Sequence, residues 1–224
     1  MSEQVEMGSP TTSRDRQPHG EVRVKICGIT SVADARMAVE AGADALGINF
    51  YPASRRHVDV ERAAAIVAVV PANVWRVGVF VDASREEIVS LVEGLGLTAI
   101  QLHGNEPAGF ERGWPVPSIR AVRIRSAADV ADALAAYAPD YFLCEGNAGG
   151  SYGGSGESFD WRLAAAVPKR RLIVAGGLHP ENVADAVRAL RPFALDVASG
   201  VERSPGVKDA ARVAAFIANA KRAA

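Results

Sequence analysis

Two residues stand where short apolar runs end and glycine begins: Cys27, closing "VRVKIC" before Gly28, and Glu145, closing "DYFLCE" before "GNAGGSYGGSG". A thiol and a carboxyl group can serve as base and acid if the fold brings them to one place. Side chains alternate along a strand, so Lys25 shares a face with Cys27, and Gln101 shares one with His103 in "IQLHG". A cation beside a thiol favours the thiolate, so Lys25 is expected to help ionise Cys27. The plainer alternatives are that Cys27 is a small buried hydrophobe and that His103 is hydrogen-bonded for structure.

Anion binding has its own signals. "AGGLHPEN" carries Gly176 and Gly177, and "ASGVERSPG" carries Ser199 and Gly200, each after an apolar run. Backbone N–H groups opened by glycine beside a helix start form an anion cradle. "YPASRRHV" adds Arg55 and Arg56, whose guanidinium forks could grip a carboxylate at two points.

These residues need a frame. From residue 21 onward, short β-branched runs alternate with alanine-rich stretches at helical spacing. "VRVKIC" leads to "SVADARMAVEAG", "DALGINF" to "VERAAAIVAVV", "WRVGVFV" to "REEIVSLVEGLG", and "TAIQLHG" to a short helix near "EPAGFER". "SIRAVRI" leads to "SAADVADALAAY", "DYFLCE" to "FDWRLAAAV", "RLIVAGG" to "PENVADAVRAL", and "FALDVASG" to "VKDAARVAAFIANAKR". Short strands joined by helices lie parallel, and eight such units predict a single α/β domain, a (β/α)8 TIM barrel over 21–224. The competing open sheet wants a GxGxxG fingerprint after its first strand, and "CGITSVAD" is not one. In such a barrel the chemistry sits where strands end, with phosphate held by the loops after strands seven and eight.

Composition narrows the partners. The formal net charge is -1, against a nucleic-acid footprint, and 49% of residues are hydrophobic, ample for a core. Two distant cysteines without metal-ligand spacing suit a reducing cytoplasm. The longest apolar run, Ala63 to Val70, is too short to span a bilayer, so no membrane partner is expected. Residues 1–20 have almost no aliphatic content and are expected to be a disordered leader.

The blocks "VKICGIT", "GINFYPASRRHV", "VGVFVD", "IQLHGNE", "YGGSGESFDW", "AGGLHPENV" and "FALDVASGVERSPGVKD", in order over residues 22 to 209, resemble the phosphoribosylanthranilate isomerases of tryptophan biosynthesis. The resemblance implies a (β/α)8 fold, no cofactor, no metal, and an Amadori rearrangement of a phosphorylated small molecule; the chain is expected to be a monomer or homodimer. It implies that Cys27 is the general base, that Arg56 contacts the anthranilate, and that Asp196 orients its amine. Gln101 and His103 would line the floor of the site. Gly176, Gly177, Ser199 and Gly200 would hold the phosphate, joined by Gly154, Ser155 and Gly156 in a loop that closes over the sugar. The family's general acid is an aspartate ending strand six. Here Glu145 stands there, one methylene longer, before a slightly longer loop.

The mechanism so implied is protonation of the sugar ring oxygen by Glu145, ring opening to an iminium ion, and removal of the C2′ proton by Cys27. Should Glu145 not be the acid, Asp82 is the next candidate. Two other functions remain: an isomerase for the bisphosphorylated aminoaldose of histidine biosynthesis, alone or with dual specificity, and a barrel that binds a phosphate ligand without catalysis. The first wants aspartates ending strands one and five.

Overall fold

The structure is a computed structural model that describes residues 22–146 and 160–224. The leader expected at 1–20 and the predicted phosphate contacts Gly154, Ser155 and Gly156 lie outside the described residues.

The eight apolar runs become strands β1 (Arg23–Cys27), β2 (Ala45–Asn49), β3 (Trp75–Phe80), β4 (Ala99–Leu102), β5 (Ser118–Ile124), β6 (Tyr141–Gly146), β7 (Leu172–Val174) and β8 (Ala194–Val197). Each pairs in parallel with the next, and β8 returns to β1, closing the expected barrel. Closure leaves no strand edge unpaired.

Six α-helices cover it among the described residues: α1 (Val32–Glu40), α2 (Val60–Val67), α3 (Arg85–Leu95), α4 (Ala127–Ala136), α5 (Val183–Leu190) and α6 (Ala210–Ala223). Short polar side chains start several of them. Ser31 Oγ accepts from Asp34 N at 3.1 Å, Ser84 Oγ from Glu87 N at 3.1 Å, and Asp209 Oδ1 from Arg212 N at 3.0 Å. Each such cap contributes about 1 kcal/mol.

Two couplets depart from the expected pattern. Between β4 and β5 the chain makes turns where the short helix was expected, because Pro107 interrupts the stretch and Gly109 and Gly113 take φ of +89° and +72°. Carboxylates replace the missing helical ladder: Glu111 accepts from Gly109 N and Ala138 N, both at 2.9 Å. After β6, "FDWRLAAAV" forms a 3₁₀ turn over Trp161–Ala166, not an α-helix. Pro168 follows two residues later and disfavours helical geometry in Val167, leaving room for little more than one turn.

The period of two along each strand separates two cores. Val77, Ile119, Leu143, Ile173 and Ala194 fill the barrel, while the opposite faces pack under the helices. At the N-terminal end Trp75, Tyr141 and Phe193 close the floor, the last two stacked at 4.4 Å between ring centroids. The Arg23 guanidinium lies 5.4 Å and 5.2 Å from the Trp75 and Phe193 centroids. Above β8 a small antiparallel hairpin, β9 (Glu202–Ser204) with β10 (Val207–Lys208), brings two charged side chains back toward the mouth. Among the described residues no helix is long and apolar enough to cross a membrane.

Candidate active site

Lys25 and Asp196 face each other in register on β1 and β8, and Lys25 Nζ donates to Asp196 Oδ1 at 2.8 Å. Both are buried. Cys27 lies two residues further along β1, half-buried at the mouth, on the face Lys25 uses. A Cβ built on Gly47 of β2 would come within 2.7 Å of Cys27 Sγ and 3.0 Å of Lys25 Nζ. The missing side chain at Gly47 is therefore the space in which thiol and ammonium meet.

Lys25 acts on Cys27 in the expected direction but does not decide the balance. Burial, and then the charge of Asp196, push the thiol above its ordinary value, and the opposing pull of Lys25 and Lys208 does not overcome them. For Lys25 itself, burial acts to lower the value, but Asp196 and Cys27 raise it above an ordinary lysine. The ammonium stays charged, hydrogen-bonded to Asp196.

Across the mouth a second chain of contacts forms. Gln101 Nε2 lies 2.8 Å from His103 Nδ1, and His103 Nε2 lies 2.9 Å from Glu145 Oε1. Period two places His103, just past the end of β4, above Gln101, and Glu145 above Leu143 on β6, both facing inward. Glu145 is only 6% exposed. Arg123, two residues beyond inward-packed Ala121 on β5, sets its Nε 4.0 Å from Glu145 Oε1.

Arg56 lies against Gly28, where a Cβ would stand 2.3 Å from its Cδ. Its Nε and Nη2 donate to the two carboxylate oxygens of Glu202 at 2.8 Å and 2.7 Å. Two edges of the fork expected to hold a substrate are thus engaged by the protein, and Nη1 is the edge that pair does not use. Lys208 Nζ donates to Glu202 Oε1 at 2.8 Å and also to the carbonyls of Cys27 and Ala198, tying the hairpin to β1 and β8. Burial acts to raise the Glu202 carboxyl, but the Arg56 fork and the Lys208 charge hold it below an ordinary glutamate.

The glycine segments expected to hold phosphate follow β7 and β8. Gly176 and Gly177 take φ of +79° and +66°, in the left-handed region that glycine tolerates. Gly200, in the 3₁₀ turn Ser199–Val201, packs so closely on the loop after β7 that a Cβ would stand 1.9 Å from Leu178 O. The two glycine segments therefore adjoin. Asp82, the alternative acid, accepts through Oδ1 from Asn105 N at 2.6 Å, and its φ of +53° accompanies a tight loop contact with Gly104.

Four residues of the site escaped the sequence reading. Gly47 had a usable signal, since glycine inside a strand often marks a close approach. Arg123 had a weaker one, its period-two spacing from Ile119 and Ala121. Glu202 and Lys208 sit in a block whose hairpin was not foreseen. Among the described residues no group of three or more histidine, cysteine, aspartate and glutamate side chains could hold a metal ion.

A closed parallel barrel with a thiol, a buried carboxyl group and a glycine rim at its C-terminal mouth defines a (β/α)8 enzyme framework for a small anionic substrate. Residues 24–219 match the family model described as N-(5′phosphoribosyl)anthranilate (PRA) isomerase. An N-(5′-phosphoribosyl)anthranilate isomerase of Pseudomonas fluorescens is 48% identical over 197 residues, 88% of this chain and 97% of that one. One of Myxococcus xanthus is 48% identical over 205 residues, 89% and 96% of the two chains. The crystal structure of the phosphoribosyl anthranilate isomerase of Thermotoga maritima superposes with a TM-score of 0.80 at 41% identity, covering 90% of this chain and 99% of that one. The chain belongs to the N-(5′-phosphoribosyl)anthranilate isomerase family, aldose–ketose isomerases of tryptophan biosynthesis.

Proposed function

We propose that this chain rearranges N-(5′-phosphoribosyl)anthranilate to 1-(2-carboxyphenylamino)-1-deoxyribulose 5-phosphate, with Cys27 as base and Glu145 as acid. The observation that carries the assignment is that both groups face inward at the same barrel mouth, beside adjoining glycine segments. A further solved phosphoribosyl anthranilate isomerase, 41% identical, is in complex with reduced 1-(o-carboxyphenylamino)-1-deoxyribulose 5-phosphate, an analogue of that product.

Glu145 gives a proton to the ring oxygen as the C1′–O bond breaks, and the nitrogen lone pair forms the iminium. That cation arises near Cys27, where a positive charge favours the thiolate. The proton the thiol releases passes through solvent to replace the one Glu145 lost. The thiolate then takes the C2′ proton, becoming a thiol again, and the enolamine tautomerises to the ketone. Both groups end the cycle as they began.

Backbone N–H groups at Gly176, Gly177, Ser199 and Gly200 bind the phosphate. Arg56 offers Nη1 to the anthranilate carboxylate, and Asp196, held by Lys25, orients the amine. With both cysteines free, a reducing cytoplasm suits the protein. The histidine-pathway reading is disfavoured, because β1 ends in Cys27 and β5 places Arg123, not an aspartate, at the mouth.

The test is loss of anthranilate-type fluorescence when the protein meets freshly generated phosphoribosylanthranilate. Cys27→Ser should abolish turnover and leave affinity for the reduced product analogue nearly intact. Tight analogue binding by the unaltered chain with no turnover would make it a binder.

A further inference from the structure

We propose that Glu145 and His103 hold one transferable proton between them, so that the ring-opening acid is the pair; this rests on the isomerase reading above. Glu145 touches substrate, and His103 is a positioning residue acting through it. Glu145 Oε1 reaches His103 Nε2 at 2.9 Å. An aspartate on the same backbone would fall short by about 1.5 Å, beyond hydrogen-bond range. The extra methylene of the glutamate is what makes the pair possible.

Gln101 records the state of the pair. Its Nε2 lies 2.8 Å from His103 Nδ1, and with the amide turned this way Nδ1 must accept, which puts the ring proton on Nε2, facing Glu145. This orientation fits the pair without its transferable proton. In this state Gln101 Oε1 has no hydrogen-bond partner, although the residue is only 1% exposed. An unmatched buried acceptor is costly, which favours turning the amide. A half-turn of the amide presents Oε1 to Nδ1, a contact that requires a proton there. Nε2 then either carries its own proton toward the carboxylate or accepts from a protonated Glu145. The two orientations of one amide thus match the pair empty and loaded.

The neighbouring charges give the pair its purpose. Arg123 approaches Glu145 from β5, its Nε 4.0 Å from Oε1, and the imidazole offers the carboxyl proton a second seat. From β7 the backbone at Gly176 packs against Glu145. Asp82, in the loop after β3, accepts from Asn105 N, and Glu106, in the loop after β4, is paired with Arg120. In turnover the proton passes from the pair to the ring oxygen as C1′–O breaks and its electrons go to oxygen. The proton released by the Cys27 thiol reloads the pair through solvent.

His103→Gln is the decisive variant, because a glutamine can place an N–H toward Glu145 but cannot take up a proton. At about pH 7.5, kcat should fall roughly 30-fold or more with KM within about threefold, and the alkaline limb of kcat should move toward acid by about one pH unit. Wild-type kcat with an unmoved limb would reduce His103 to a structural role and overturn the proposal. A second measurement needs neither the variant nor turnover: the Gln101 side-chain amide and His103 ring-nitrogen resonances of the unaltered chain, followed from about pH 9 to 5. They should change together, since the amide must turn as the ring gains a proton. Amide signals that stay fixed while the ring protonates overturn the pair as well. A chain that fails to convert phosphoribosylanthranilate would remove the isomerase reading instead, with the resonances still deciding on the pair.

Discussion

Lys25 Nζ and Asp196 Oδ1 meet at 2.8 Å inside the barrel, joining the first strand to the last across 171 positions of sequence. A buried ion pair gives little net stability, because the loss of hydration offsets most of the attraction, whereas removing one partner leaves a bare buried charge. Lys25→Met should therefore lower unfolding free energy by about 3–5 kcal/mol. The double variant Lys25→Met, Asp196→Leu should recover most of it. Denaturant midpoints would check this, and equal losses in the single and double variants would show that packing, not charge, holds the seam.

Cys27 should label slowly. Burial, followed by the charge of Asp196, raises the thiol, so its thiolate fraction at neutral pH is below that of an ordinary cysteine and grows only at higher pH. Iodoacetamide labelling read by mass spectrometry should rise with pH later than for a free thiol. Asp196→Asn removes the second of those causes and should speed labelling at neutral pH. Cys144, buried and pushed up to about 12, serves as the unreactive internal standard. Faster labelling of Cys27 than of a free thiol at neutral pH would contradict the raised value.

Gly47→Ala tests the space beside the thiol. The backbone there is not left-handed, so alanine brings no conformational strain, yet its Cβ would sit 2.7 Å from Cys27 Sγ. Something must shift, and a displacement of about 1 Å at a reacting atom can cost on the order of a hundredfold in rate. We expect kcat to drop by about 10- to 100-fold. Affinity for inorganic phosphate should hold, because the glycine rim lies on β7 and β8.

The barrel was legible because its signal is repeated. Runs such as "VRVKIC" and "WRVGVFV" each specify a strand, and Cys27, His103 and Glu145 stand where such runs end. Two helices were misread because single proline and glycine residues, Pro107 and Pro168 among them, outweigh alanine-rich composition over short stretches. Partnerships were less legible. Arg56 and Lys25 were each identified by charge and position, but their carboxylate partners, Glu202 and Asp196, lie 146 and 171 residues away. Spacing along a chain does not encode which of several cations a folded carboxylate will choose.

That choice can be tested at Arg56. If Glu202 exists to hold the guanidinium so that Nη1 faces the substrate, the charge at position 56 is not enough, and its orientation is what binds. Arg56→Lys keeps the cation and loses the two-point grip, so KM for phosphoribosylanthranilate should rise about tenfold. Glu202→Gln keeps the shape of the anchor but weakens both its pair with Arg56 and its contact with Lys208, and should raise KM in the same direction. Inhibition by inorganic phosphate separates this from general damage, since phosphate would use the glycine rim and not the Arg56 fork. Unchanged phosphate inhibition with raised KM in both variants is the expected result. An equal loss of phosphate affinity would mean that the hairpin supports the whole mouth, and that Arg56 has no special claim on the anthranilate.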